Sequence, residues 1–215
     1  MIIVGKMGSG KDTFASMFPM LKRFALADEL KKVVRLAQID GSQAAMDYLV
    51  QRTGIWDSRM VDALAYAESH KPTRRMKKKK QRRVLQVVGQ RFRDIEPNFW
   101  IDLLKDDIEL AGNPPHIITD VRYRNEFDTF KNEGSVFVFA PRKVRIHRLI
   151  ARDGRVNFKD LEHVSEKEVA TFCNECDYVV NNSTDNLNSL RRKAEVIIRE
   201  EGLRNPKKTK STTPT

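Results

Sequence analysis

Apolar residues in this chain fall into five short dense runs, separated by stretches in which they recur every three or four positions. Residues 2–4, 23–26, 116–120, 135–140 and 177–181 predict strands. The helical period predicts helices over 11–18, 28–38, 41–52, 58–68, 82–95, 99–110, 144–152 and 187–200. Pro19 stops the first helix, and Pro97 separates the fifth from the sixth. Strands alternating with helices imply a parallel sheet covered on both faces, with ligands at the carboxyl ends of the strands.

The turn after the first run changes this from a generic α/β reading. Residues 5–13 contain G-x-x-x-x-G-K between a strand and a helix. Glycines there let main-chain N–H groups converge on phosphate oxygens at the positive end of the helix. Gly8, Ser9, Gly10, Lys11, Asp12 and Thr13 are therefore the expected ATP-binding residues, with Lys11 as the mobile charge for the β- and γ-phosphates. The hydroxyl that usually follows the lysine comes one place later, at Thr13, and Asp12 takes its place. Asp12 has three readings: a magnesium ligand through water, a group facing the acceptor, or a favourable charge in the first helical turn. The expected fold is a P-loop NTPase α/β/α sandwich with a five-stranded parallel sheet. Residues 1–203 are expected to form one P-loop domain, with a helical substrate-binding insertion over about 41–112 and a lid over about 142–165.

The apolar strand 116–120 ends in Asp120, as a Walker-B element does, and Arg122, Arg124, Asn125 and Glu126 follow. Asp120 reads either as a magnesium ligand that also orients the attacking oxygen or as a strand-end cap. Arg122 can hold an acceptor phosphate through two parallel hydrogen bonds. In the helix 82–95, Leu85, Val88, Phe92 and Ile95 have core spacing, while Arg82, Arg83, Gln86, Gly89 and Gln90 lie around another face. That face either reads a base edge and a phosphate or is simply solvated. Gly89 within the helix marks close approach by another group. Trp100 offers a ring for base stacking or a core side chain. Arg142, Arg145, Arg148 and Arg152 follow the fourth strand, where a closing lid could aim a catalytic arginine. His163 and Glu166 read as residues that cap and steady the helix after the lid.

Net charge of +11 suggests nucleic acid until it is located. Nine basic residues and no acidic one lie within 71–83, and four more lie in the tail after residue 203. Together they exceed the whole excess, so the remaining body is nearly neutral, and no aromatic residue interrupts the basic run. Residues 204–215 form an expected disordered basic tail. Cys173 and Cys176 make a lone C-x-x-C without a second pair and read as ordinary reduced thiols. No apolar run approaches membrane-span length, and the first residues do not make a signal peptide. A cytoplasmic location is expected, with no membrane partner and nucleic acid disfavoured.

Five blocks of the chain, beginning at residues 5, 24, 82, 117 and 161, read GKMGSGKDT, FALADELKK, RRVLQVVGQRFRDIEPNFW, IITDVRYRNE and LEHVSE. In these blocks, and over all but the tail, the chain resembles the bacteriophage-type deoxynucleoside monophosphate kinases. That is a P-loop branch near dephospho-CoA kinase and the animal phosphomevalonate kinases. The resemblance implies ATP bound with magnesium by residues 8–13, and Asp12, Thr13 and Asp120 near the metal. It further implies that Arg82, Arg83, Gln86, Gly89, Trp100, Asp120, Arg122 and Glu126 bind the acceptor. Lys11, Asp120, Arg122, Arg142 and Arg145 are the expected catalytic set. Gln90 stands where the family pattern carries a small or hydroxyl residue. The expected activity is transfer of the γ-phosphate of ATP to a deoxynucleoside 5′-monophosphate; a homodimer is compatible with it. The rivals are a kinase of the same fold acting on dephospho-CoA or phosphomevalonate, and a nucleotide-gated nucleic-acid binder using the basic run.

Overall fold

In the computed structural model, β1 (Ile2–Val4) is the middle strand of a five-stranded sheet in which every neighbouring pair is parallel. The model describes residues 1–71, 78–162 and 164–203. The other strands are β2 (Lys22–Phe24), β3 (His116–Ile118), β4 (Ser135–Phe139) and β5 (Tyr178–Asn181), in spatial order β2-β3-β1-β4-β5. Ile2 pairs with Ile118 on one side and Ser135 on the other. All three residues of β1 are fully buried, as a central strand covered on both faces requires.

Successive strand residues face opposite sides of the sheet, so each face buries its own set. One cluster joins Ile3, Val136, Val138 and Val180 to Phe14 and Phe18 near α1 (Lys11–Ala15) and to Leu190, Ala194 and Ile197 of α11 (Leu187–Glu200). Ile2, Val4, Ile118 and Phe137 alternate with these residues and are just as buried. Burying such side chains stabilises by about 1.5–3 kcal/mol each. This accounts for how strands of three to five residues hold a sheet.

α1 ends at Ala15, earlier than the apolar pattern predicts. The Ser16 hydroxyl donates to the Thr13 carbonyl at 2.7 Å, and Met17 and Phe18 turn back onto carbonyls three residues earlier. β3 likewise stops at Ile118. Thr119 instead receives a hydrogen bond from Arg23 Nε at 3.1 Å on its hydroxyl, and Asp120 lies beyond the ladder.

The chain forms two compact units. Met1–Phe24 with Asn113–Thr215 contains the sheet. Ala25–Gly112 is helical, with α2 (Leu26–Asp40), α3 (Ser42–Thr53), α4 (Ser58–Ser69), α5 (Lys78–Ile95) and α6 (Phe99–Leu110). The helical unit is larger than the expected insertion over 41–112, because α2 packs on each of the other four helices. In α5 the fully buried stripe is Val84, Val88 and Phe92, whereas the expected core residues Leu85 and Ile95 are only half-buried. The remaining helices of the sheet unit are α7 (Arg124–Phe130), α8 (Arg142–Asp153), α9 (Phe158–Leu161) and α10 (Val164–Thr171). The basic run within 72–77, residue His163 and the tail 204–215 lie outside the described residues. Among the described residues, no helix is long and apolar enough to cross a membrane.

Candidate active site

Val4 hands the chain to the glycine loop at the carboxyl edge of the sheet. Because β1 and β3 are parallel neighbours, Asp120 and Arg122 leave the sheet at that same edge. Gly8 (φ 79°) and Gly10 (φ 88°) adopt left-handed backbone that other residues rarely take. A Cβ on Gly8 would come within 2.8 Å of the Arg145 carbonyl, and one on Gly10 would collide with Asn182 Nδ2. The first-turn N–H groups of Lys11, Asp12 and Thr13 have no intrahelical acceptor, as at any helix start, and suit an anion.

Buried polar side chains hold the loop from behind. The Met7 N–H donates to Glu166 Oε2 at 2.8 Å, and the Met7 carbonyl accepts from Arg145 Nη1 at 3.1 Å. The Ser9 carbonyl accepts from Asn182 Nδ2 at 2.8 Å and from Arg148 Nη1 at 3.2 Å. Arg148 also donates to the Asn182 and Thr184 carbonyls and to Asp185. These bonds occupy the Met7 and Ser9 carbonyls and fix the backbone of the loop.

This changes the expected roles of two arginines. Arg145 is buried on α8, its guanidinium turned onto a loop carbonyl. Burial pulls its pKa down, Glu166 opposes that pull, and Arg142 adds repulsion. Arg142 itself is exposed and lies 3.6 Å from Glu162. The expected lid segment therefore begins with a helix packed tightly against the phosphate loop, and Arg145 serves that loop's shape.

Lys11 Nζ rests 2.9 Å from Asp12 Oδ1, the lysine mostly buried and the aspartate exposed. Asp12 is thus the partner of this lysine at the first helical turn. Thr13 is exposed beside it. Asp120 is half-buried. Half-buried Arg122 donates through Nη1 to Glu166 Oε1, and its main-chain N–H donates to Glu126 Oε2 at 2.8 Å.

Glu126, expected to touch the acceptor, is instead 2% exposed and caps α7. Its carboxylate takes the N–H groups of Arg122 and Tyr123, fixing the turn that carries Arg122. A carboxylate at a helix start satisfies orphan donors there, which explains its burial.

The remaining expected acceptor residues belong to the helical unit. Arg82, Arg83 and Gln86 are exposed on α5. Trp100 is not a stacking platform: it is 2% exposed, packed on Phe92 and Phe99, with Nε1 donating to the Gly89 carbonyl at 3.1 Å. Gly89 is explained by its neighbours. A Cβ there would lie 3.0 Å from Leu30 Cδ2 of α2, so the close approach is helix on helix. Of the two readings the sequence left open for Trp100 the structure takes the core one, and the close approach that Gly89 marks is that of Leu30, because a large amphipathic ring and a helical glycine serve a core as readily as a ligand.

Glu166, Asn182 and Arg148 are the residues whose contribution the sequence pattern missed. Glu166 belongs to the LEHVSE block, but a local cap was the only role visible there. Both cysteines are free, and burial pushes the Cys176 thiol up to about 12, consistent with an unreactive thiol. Among the described residues no cluster of His, Cys, Asp and Glu is built to hold a metal alone. Magnesium bound with nucleotide needs no such cage, since phosphates and waters supply most ligands.

No protein-family model matches the chain, and no curated protein is significantly similar to it. Solved structures do superpose on it. TT1252 from Thermus thermophilus is 19% identical with a TM-score of 0.47, over 95% of this chain and 97% of that one. Dephospho-CoA kinase from Campylobacter jejuni is 12% identical with a TM-score of 0.43, over 93% and 95%. An uncharacterized protein from Eubacterium ventriosum ATCC 27560 is 11% identical with a TM-score of 0.42, over 94% and 98%. These superpositions are loose. The P-loop α/β assignment rests on the chain's own strand order and glycine loop.

Proposed function

We propose that this chain is an ATP-dependent kinase acting on deoxynucleoside 5′-monophosphates. The observation that carries the kinase reading is a preformed phosphate loop sharing one sheet edge with Asp120 and Arg122, with Glu166 bonded to both Met7 and Arg122. The choice of acceptor rests on the sequence resemblance and on the exposed Arg82, Arg83 and Gln86.

In this reading the loop N–H groups and Lys11 hold the β- and γ-phosphates, and the lysine exchanges Asp12 for phosphate oxygens. A phosphate oxygen of the acceptor forms a bond to the γ-phosphorus while the bond to the β–γ bridging oxygen breaks, leaving ADP. Arg122 grips the acceptor phosphate, and Asp120 orients it. Thr13, Asp12 and Asp120 offer a hydroxyl and carboxylates that suit magnesium bound partly through water. Magnesium bound there would neutralise charge on the β- and γ-oxygens.

The test is a panel of the four deoxynucleoside monophosphates, the ribonucleotides, dephospho-CoA and phosphomevalonate, each with ATP and magnesium. Deoxynucleotide turnover with ADP release is expected. Turnover of dephospho-CoA or phosphomevalonate alone would transfer the reading to that acceptor. Absence of phosphoryl transfer to any of them, with salt-resistant binding of DNA or RNA, would replace it with a nucleic-acid function.

A further inference from the structure

Glu166 has no part in the chemistry described above, yet its side chain is only 1% exposed and its two oxygens serve different parts of the site. Oε2 takes the N–H of Met7 in the phosphate loop, and Oε1 takes Nη1 of Arg122. The three residues come from three separate segments: the loop after β1, the turn after β3, and α10. The carboxylate reaches beyond its own helix and joins two other segments. Among the described residues, Arg122 has no other ion-pair partner. Arg145 reinforces the arrangement by holding the carbonyl of the same Met7 residue, so the loop is held at one residue by an anion and a cation.

The charge-assisted bond from Nη1 to one oxygen of a buried carboxylate restrains where the Arg122 guanidinium sits. The same carboxylate takes a main-chain N–H that sits next to the phosphate-binding glycines. Any shift of the Met7 peptide is therefore felt by the group that orients Arg122. We propose that Glu166 is a positioning residue that sets the orientation of Arg122 from the phosphate loop, so that donor-site geometry and acceptor grip are coupled through one side chain. The proposal rests on the kinase reading for its purpose, and on the bonds alone for its mechanism.

Two measurements test it. The first needs no substrate: the side-chain Nη1–H resonance of Arg122, the group that donates to Glu166, is assigned by its loss in Arg122→Lys and followed in nitrogen-15-labelled protein. Glu166→Gln keeps the size of the side chain and removes the charge. In it that proton should exchange with water at least about tenfold faster, while the amide spectrum stays folded. Glu166→Asp keeps the charge, shortens the reach, and serves if the glutamine variant does not fold.

The second measurement is a kinetic double-mutant cycle. Glu166→Gln should lower kcat/KM for the monophosphate about tenfold or more, and raise the KM for ATP by a smaller factor, since the Met7 N–H loses its charged acceptor. In an Arg122→Ala background the same substitution should have little further effect. Unchanged exchange at Arg122, or equal losses in both backgrounds, overturns the proposal. A wild-type protein that phosphorylates no acceptor defeats the kinase reading instead, and the exchange measurement alone then decides whether Glu166 holds Arg122.

Discussion

Arg145 Nη1 donates to the main-chain oxygen of Met7 across 3.1 Å, bringing a buried cation onto the phosphate loop. The contact predicts a structural penalty. Arg145→Met removes the donor and one of the two positive charges beside buried Glu166, leaving Arg122 as the other, so urea unfolding should show a loss of about 1–3 kcal/mol. Calorimetric ATP affinity should fall with it. Arg142→Ala, at an exposed position, should cost less than about 0.5 kcal/mol. If Arg145→Met keeps full stability and ATP affinity but loses turnover, the arginine is catalytic and reaches the substrate after closure.

Lys11 is mostly buried, and its only ion pair among the described residues is with exposed Asp12. Lys11→Ala should therefore fold normally and lower turnover by at least about a hundredfold, because the transferring phosphoryl group loses its nearest protein charge. Circular dichroism with a steady-state assay checks both halves. Near-normal transfer in the folded variant would remove the phosphate loop from the mechanism.

Two glycines should respond differently to alanine. At Gly10 the left-handed backbone costs about 1–2 kcal/mol, to which the displacement of Asn182 adds. Gly10→Ala should therefore lower the melting temperature and abolish detectable ATP binding. At Gly89 the new methyl meets the tip of Leu30, while the helix gains about 1 kcal/mol in propensity. The two terms nearly cancel, so Gly89→Ala should lie within about 1 kcal/mol of wild type. An unchanged base preference is expected; a large change in acceptor KM would return Gly89 to the binding surface.

Trp100→Phe removes the indole donor from the Gly89 carbonyl, which keeps its intrahelical partner, and leaves a small cavity, and should cost about 1–3 kcal/mol in stability. Ranking of the four bases should not change, because the indole lies in the core. Gln86→Ala, at an exposed position, should leave stability untouched and alter that ranking if its amide reads a base edge. Comparing melting curves with base panels for the two variants separates core from recognition. A changed ranking in Trp100→Phe alone would reverse the assignment.

By itself the sequence determined the sheet, the loop and their order. Ile2–Val4 before the glycines, and the apolar runs leading to Asp120 and Ala140, are short unbroken apolar runs of the length that strands buried on both faces take. Gly8 and Gly10 were equally legible, since a phosphate nest needs backbone that only glycine adopts freely. The tertiary structure decided what the ambiguous side chains do. Trp100, Gly89 and Glu126 have residue types that suit a ligand or a core, and local spacing does not distinguish the two. Arg145, Arg148, Asn182 and Glu166 hold the loop across more than 130 residues of chain. A hydrogen bond between residues so far apart leaves no periodic trace, because it depends on which strands become neighbours. Chain order alone does not dictate that arrangement.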